Sequence, residues 1–194
     1  SGTGAWEAAL VNTVNEDDLV LMVETGHFAS LWNKMALKLG IKTEFLETDW
    51  RRGVEPEKLF DRLEKDIDKK IKAVCVVHNE TSTGSISRIK EVREAINSAN
   101  HNALLMVDSI SGLASLEYKH DEWGVDVTVS GSQKGLMLPP GLSFNAISEK
   151  ALFASNENSM KRSYWDWKEQ IQSNKQGSFP YTCLLYTSPS PRDY

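Results

Sequence analysis

Lys134 is the residue of this 194-residue sequence best suited to covalent chemistry. It lies in Ser130-Gly-Ser-Gln-Lys-Gly135, directly after an apolar stretch that reads as a buried strand, among small neighbours that leave room for a bulky ligand. A lysine amine kept from water favours its neutral form, the nucleophile that a Schiff base requires. The expectation is therefore an enclosed Lys134 rather than a solvated loop lysine, with Ser130, Ser132 and Gln133 facing a polar ligand. Asp108 closes the apolar run LLMV, so its carboxylate emerges at the end of a strand and must find a partner or water. A cationic ring nitrogen would suit it. A cap on the following turn, through Ser109 and Ser111, would serve equally, and both readings stay open at this point.

Two further clusters carry polar chemistry. Ser1-Gly2-Thr3-Gly4 opens a helix, where backbone N–H groups and hydroxyls can receive an anion; an ordinary capped turn is the alternative. The segment is not a dinucleotide fingerprint, which would need a glycine where Glu7 stands, nor a P-loop, which would need Gly-Lys-Ser/Thr. His78-Asn-Glu-Thr-Ser-Thr-Gly84 offers several side chains that hydrogen-bond a ring oxygen or a substrate, or a plain Asx-type or Ser/Thr turn. The histidines at 27, 78, 101 and 120 form no HxxxH or HxH pair and the cysteines no CxxC, which leaves a metal site without support. A Gly-x-Ser-x-Gly elbow is also missing, which removes the commonest serine-hydrolase reading.

The elements that must position these residues alternate between helix-like and strand-like patterns, the signature of a mainly parallel sheet covered by helices in one domain. Strands are expected at 19–24, 42–47, 72–77, 103–107, 126–129 and 142–147. Helices are expected at 5–14, 27–39, 89–99, after Pro56, and from about Lys150. The helix at 27–39 stops at Gly40, a residue type that tolerates the left-handed closing conformation, and Pro56 suits the first turn of the charged helix that follows. All four polar clusters then fall at the carboxyl ends of strands or at the start of the first helix, where open α/β sheets bind ligands.

Composition sets the bounds. A hydrophobic share of 40% with 25% charged residues is that of a globular domain. A formal charge of -5 leaves no excess of positive charge for phosphate contacts, which disfavours a nucleic-acid partner. No apolar run approaches the roughly 20 residues of a membrane-spanning helix, so the visible part reads as soluble. The chain opens inside a functional loop without an initiator Met, so any targeting segment would lie upstream and the compartment, cytoplasmic or organellar, is left open. From Cys183 onward the sequence resembles the translation of a transposase adapter used in DNA library preparation, and residues 183–194 are read as an artefact. Cys75 is then the single native cysteine, which excludes an intramolecular disulfide.

Taken together, SGTGAWEAALVNT, HNETSTG, VDSISGL and HDEWGVDVTVSGSQKGLMLPPGLSFNAIS resemble the class V pyridoxal-phosphate (PLP) aminotransferases, closest to the serine–glyoxylate and alanine–glyoxylate branch. The resemblance spans residues 1–182. It implies the large domain of the type I PLP-transferase fold, lacking an upstream segment and the small C-terminal domain that carries the family's carboxylate-binding arginine. It implies further that Lys134 holds the cofactor as a Schiff base and Asp108 pairs with its ring nitrogen. Thr81 would bond the ring hydroxyl, Ser1, Gly2, Thr3 and Gln133 would hold the phosphate, and Phe28 and Ile110 would flank the two ring faces. Thr182 matches a position that reaches the phosphate of the neighbouring subunit in a homodimer. The implied reaction moves an amino group from serine or alanine to glyoxylate. A lyase or desulfurase of the same family, or a non-catalytic phosphate- or nucleotide-binding module, are the alternatives. A desulfurase would need a loop cysteine, whereas Cys75 falls in an expected buried strand.

Overall fold

Short apolar runs become the strands of one six-stranded sheet. The computed structural model describes residues 2–181; Ser1 and Thr182, and the stretch 183–194, lie outside them. In chain order the elements are α1 (Gly2–Thr13), β1 (Leu19–Glu24), α2 (His27–Lys38), β2 (Lys42–Glu47), α3 (Pro56–Glu64), β3 (Ile71–Val77), β4 (Asn79–Glu80), β5 (Ser85–Ile86), α4 (Ile89–Ser98), β6 (Leu104–Asp108), β7 (Val127–Gly131), β8 (Ser143–Ile147), α5 (Glu149–Glu157) and α6 (Trp167–Lys175). The sheet order is β2-β1-β3-β6-β7-β8, parallel except where β8 runs back along β7. Register aligns Val77 with Asp108 and Asp108 with Val129, so the carboxyl ends of β3, β6 and β7 form one crest.

Burial on both faces explains why the inner strands β1, β3, β6 and β7 are mostly apolar, whereas the edge strands β2 and β8 are only partly buried. Alternate residues of β3 feed two cores: Ala73 and Cys75 pack with α1, α2, Ala151 and Trp167, whereas Val74 and Val76 pack with Leu59, Leu63, Ile89, Val92 and Ile96 of α3 and α4. The charged helix α3 is thus solvated on one side only. α1 is buried along most of its length, and its run of Gly and Ala lets it lie close against β7, β8 and α5. α2 ends before Gly40, whose φ of 79° is the left-handed closure expected there.

Three features depart from the sequence pattern. α1 begins at Gly2 rather than after the glycine loop, so the expected loop is itself the first helical turn. The two-stranded ribbon β4-β5 folds the 78–87 segment back on itself through strands of only two residues, too short for any alternation to show. Finally, α6 follows a loop capped by Asp166, whose carboxylate accepts from Lys168 N. No helix among the described residues is long and apolar enough to cross a membrane.

Asp126 ties the amino ends of β6 and β7 to the layers around them. Its buried carboxylate accepts from Leu105 N (2.8 Å), Ser148 Oγ (2.9 Å) and the Arg93 guanidinium of α4. Removing one partner of a buried pair strands the other's charge. Asp126→Ala is accordingly expected to lower unfolding stability by about 3–5 kcal/mol in a urea titration.

Candidate active site

The crest is built around Asp108, the last residue of β6, which is 4% exposed. Oδ1 accepts from Ile110 N at 2.7 Å and Oδ2 from the indole Nε1 of Trp6 at 2.9 Å. The turn cap anticipated for Asp108 is therefore real, but it runs to Ile110. The two serines bond elsewhere, Ser109 Oγ to Val129 O and Ser111 Oγ to Asn79 O. Among the described residues no cation pairs with Asp108. Burial consequently pushes its carboxyl up to about 7; the Ile110 and Trp6 donors pull it down, and the charge of Glu80 adds to the rise.

α1 delivers its first turn to the same place. Gly2 is buried against Ile110, so closely that a Cβ there would fall 2.3 Å from Ile110 Cδ1. The position where a side chain on Gly131 would begin is 3.6 Å from Gly2 N and 3.0 Å from Gln133 Oε1. Gly2, Ile110, Asp108 and Gln133 therefore converge where the unbonded N–H groups of a helix start face the ends of β6 and β7. Thr3 is exposed on that first turn.

A second group gathers at the start of α2. Phe28 is half-buried against the α1–α2 core, and its N–H donates to Glu80 Oε1 (3.3 Å) while Ala29 N donates to Oε2 (3.3 Å). Glu80 is fully buried and also accepts from Ser82 N and Ser82 Oγ. A carboxylate from β4 thus caps α2, whose own N-cap Gly26 has no side chain to do so. This clasp fixes the exposed Thr81 turn beside Phe28. Asn79 Nδ2 further links that turn to Ser111 Oγ (3.1 Å).

Lys134 departs from expectation. It is exposed, and among the described residues its side chain makes no hydrogen bond or ion pair. The turn that carries it packs Gly135 against Leu113 and Ser115 and leaves the lysine side chain open. Two residues of the site went unnoticed in the sequence. Trp6 could have been found from its spacing, since it lies four residues after Gly2 and hence on the same face of α1. Glu80 carried no signal beyond membership of a polar run. Cys75 is buried in β3, and burial pushes its thiol well up, away from nucleophilic use.

The described residues form an α/β fold of mainly parallel sheet whose crest joins a helix start, a buried carboxylate and an exposed lysine. The family model "Aminotransferase class-V" matches residues 1–161. The serine–glyoxylate aminotransferase of Methylorubrum extorquens is 49% identical over 187 residues, covering 94% of this chain and 46% of that protein. The L-aspartate–glyoxylate aminotransferase of Paracoccus denitrificans is 40% identical over 182 residues, with 94% and 46% covered. Among solved structures, an alanine–glyoxylate aminotransferase from Nostoc sp. superposes with a TM-score of 0.84 at 28% identity, over 95% of this chain and 48% of the other. The chain belongs to the class V aminotransferase family and spans about half the length of the curated relatives it matches. Membership implies a PLP cofactor.

The Asp108 carboxyl has a stability consequence. It stays protonated up to about pH 7 in the folded protein but ionises near its ordinary value when unfolded, so the folded state binds more protons between the two. The stability it contributes is complete below about pH 4 and is lost as pH rises toward 7. In urea titrations of cofactor-free protein, raising the pH from about 4 to about 8 should shift the stability difference in favour of Asp108→Asn by up to about 4 kcal/mol.

Proposed function

We propose that this protein is a PLP-dependent transaminase that moves an amino group from serine, or alanine, to glyoxylate, giving glycine and a 2-oxo acid. The observation that carries the reading is the Asp108 carboxylate, buried beside the helix start at Gly2 with no counter-cation among the described residues. A cationic ring nitrogen would supply the missing charge, and the start of α1 at Gly2, where the first N–H groups have no partner within the helix, would receive a phosphate. The residues present therefore fit PLP.

When bound, PLP supplies an electrophilic carbonyl carbon and a ring that accepts the electron pair left by a departing proton. Lys134 Nζ would hold that carbon covalently, and once displaced by the donor's amine it would carry the proton at the donor Cα. Asp108 would keep the ring nitrogen protonated. Gly2, Thr3 and Gln133, with Ser1, would hold the phosphate. Phe28 and Ile110 would confine the ring from its two faces, and Thr81 would orient its hydroxyl. Thr182 would reach the phosphate of a second subunit in a homodimer. Residues 1–182 would be part of the PLP-binding large domain. Serine as donor rests on the 49% identity to a protein named for it; the aspartate-named relative makes aspartate the first competitor to assay.

The test uses the full-length protein incubated with PLP, reduced with borohydride and mapped by peptide mass. A pyridoxyl group on Lys134 is expected. Lys134→Ala should abolish the label and lower glycine formation from serine and glyoxylate by at least about a thousandfold. Label on another residue, or none on folded protein, would replace this reading with that of a non-catalytic phosphate-binding module.

A further inference from the structure

We infer that Trp6 is a positioning residue for the reaction: its indole N–H orients the Asp108 carboxylate and favours the ionised form that a ring-nitrogen partner must have. This rests on the reading of Asp108 given above, although the contact itself does not.

Three observations support it. First, among the described residues Asp108 has two donors, one per oxygen, and they come from different elements. Ile110 N is fixed by the chain's own turn, whereas Trp6 Nε1 arrives from α1, 102 residues away in sequence. Without the indole, Oδ2 would be buried with no donor among the described residues, and burial disfavours a charge left unbonded. Second, an indole N–H can only donate and does not titrate, so it favours the carboxylate over the carboxylic acid at every pH. The other titratable groups whose charge reaches Asp108 are Glu80 from β4, which opposes its ionisation, and Tyr118 from the segment between β6 and β7. Third, the indole is itself held: Trp6 stacks on Trp32 of α2 at 5.8 Å between ring centroids and 13° between planes, and both are buried. A freely turning donor would define nothing, whereas this one has its plane set by a second helix.

The spacing adds meaning. Gly2 and Trp6 are four residues apart on α1, roughly 6 Å along its axis. One helical face thus presents the helix start to Ile110 and the indole to Asp108. α1 would grip phosphate and ring nitrogen through contacts of fixed separation.

The experiment compares the wild type with Trp6→Phe and with Trp6→3-benzothienylalanine, in which sulfur replaces the N–H while the ring shape is kept. Isotope-edited NMR follows the Asp108 carboxyl carbon in cofactor-free full-length protein through a pH titration. Its midpoint is expected to rise by about one to two pH units in both variants, the worth of a hydrogen bond to a charged group. With the cofactor loaded, the acidic limb of the kcat profile should move up by a similar amount while KM for serine stays nearly constant. A midpoint unchanged in the benzothienyl variant would overturn the inference, whatever becomes of the melting temperature. A shifted midpoint in a protein that takes no borohydride label would sustain the Trp6–Asp108 coupling and sink the proposed transaminase instead.

Discussion

A carboxylate buried at the end of a parallel strand, with no cation paired to it among the described residues, is the interaction around which this molecule is arranged. Removing a charge from water is costly unless hydrogen bonds replace the lost hydration. For Asp108 the replacement is partial, since one backbone donor and one indole leave it near neutrality in its titration. The parallel order of β3, β6 and β7 places it in mid-crest, and the first turn of α1 closes over it through Gly2 and Trp6. A structure optimised for stability alone would put an uncharged side chain here. The position makes physical sense if a positive charge arrives with a ligand, and strong perturbation in a cleft is where functional groups concentrate.

Glu80 shows what a carboxylate does when its needs are met by the protein. It is buried more completely than Asp108, yet it accepts from four donors, two of them N–H groups at the positive end of α2. It has become a structural tie between the β4-β5 ribbon and α2, holding Phe28 and the Thr81 turn in mutual register. The two acids differ not in type but in how many donors face them. The saturated one fastens the site's frame, and the undersaturated one keeps a valence for something else. Their like charges also push against each other, which keeps Asp108 closer to its neutral form than burial alone would.

The inner strands were legible because burial on both faces leaves them as apolar runs, and the edge strand at 42–47 because Gly40 and Pro56 bracket it. Strand starts and ends at 19–24 and 42–47 coincide with the expected ones, and the rest differ by one or two residues. What escaped was set by contacts across the chain. The start of α1 at Gly2 depends on the ends of β6 and β7 lying beside it, and a Gly-Thr-Gly sequence by itself argues for a loop. Trp6 read as one more apolar residue of a buried helix, because its hydrogen-bonding partner is 102 residues away. Ser130 and Ser132 are both buried; Ser132 Oγ donates to Pro139 O within the turn that bears Lys134, whereas Ser130 Oγ has no partner among the described residues. The turn bonds within itself, and the lysine expected to be enclosed is instead exposed. Enclosure is a property of what packs over a residue, and nothing in the local sequence encodes it.

α1 is the element that makes the crest a site rather than a set of neighbouring polar residues, and its far end explains how it keeps its place. Asn12, fully buried, donates to Ala8 O and Trp165 O and accepts from Trp167 N and Ser155 Oγ. Its side-chain amide is thereby satisfied on both sides, as a buried amide must be if it is not to destabilise the fold. The helix is pinned at this end to α5 and to the entry of α6, and at the other by Gly2 against Ile110 and the Trp6 indole on Asp108. Between the pins the backbone is a stiff ladder of hydrogen bonds with a fixed rise per residue. A shift of the 155–167 segment would therefore be felt at Asp108 as a displaced indole. The sequence distance that hid Trp6 is also what lets the outer helices set the geometry of the crest.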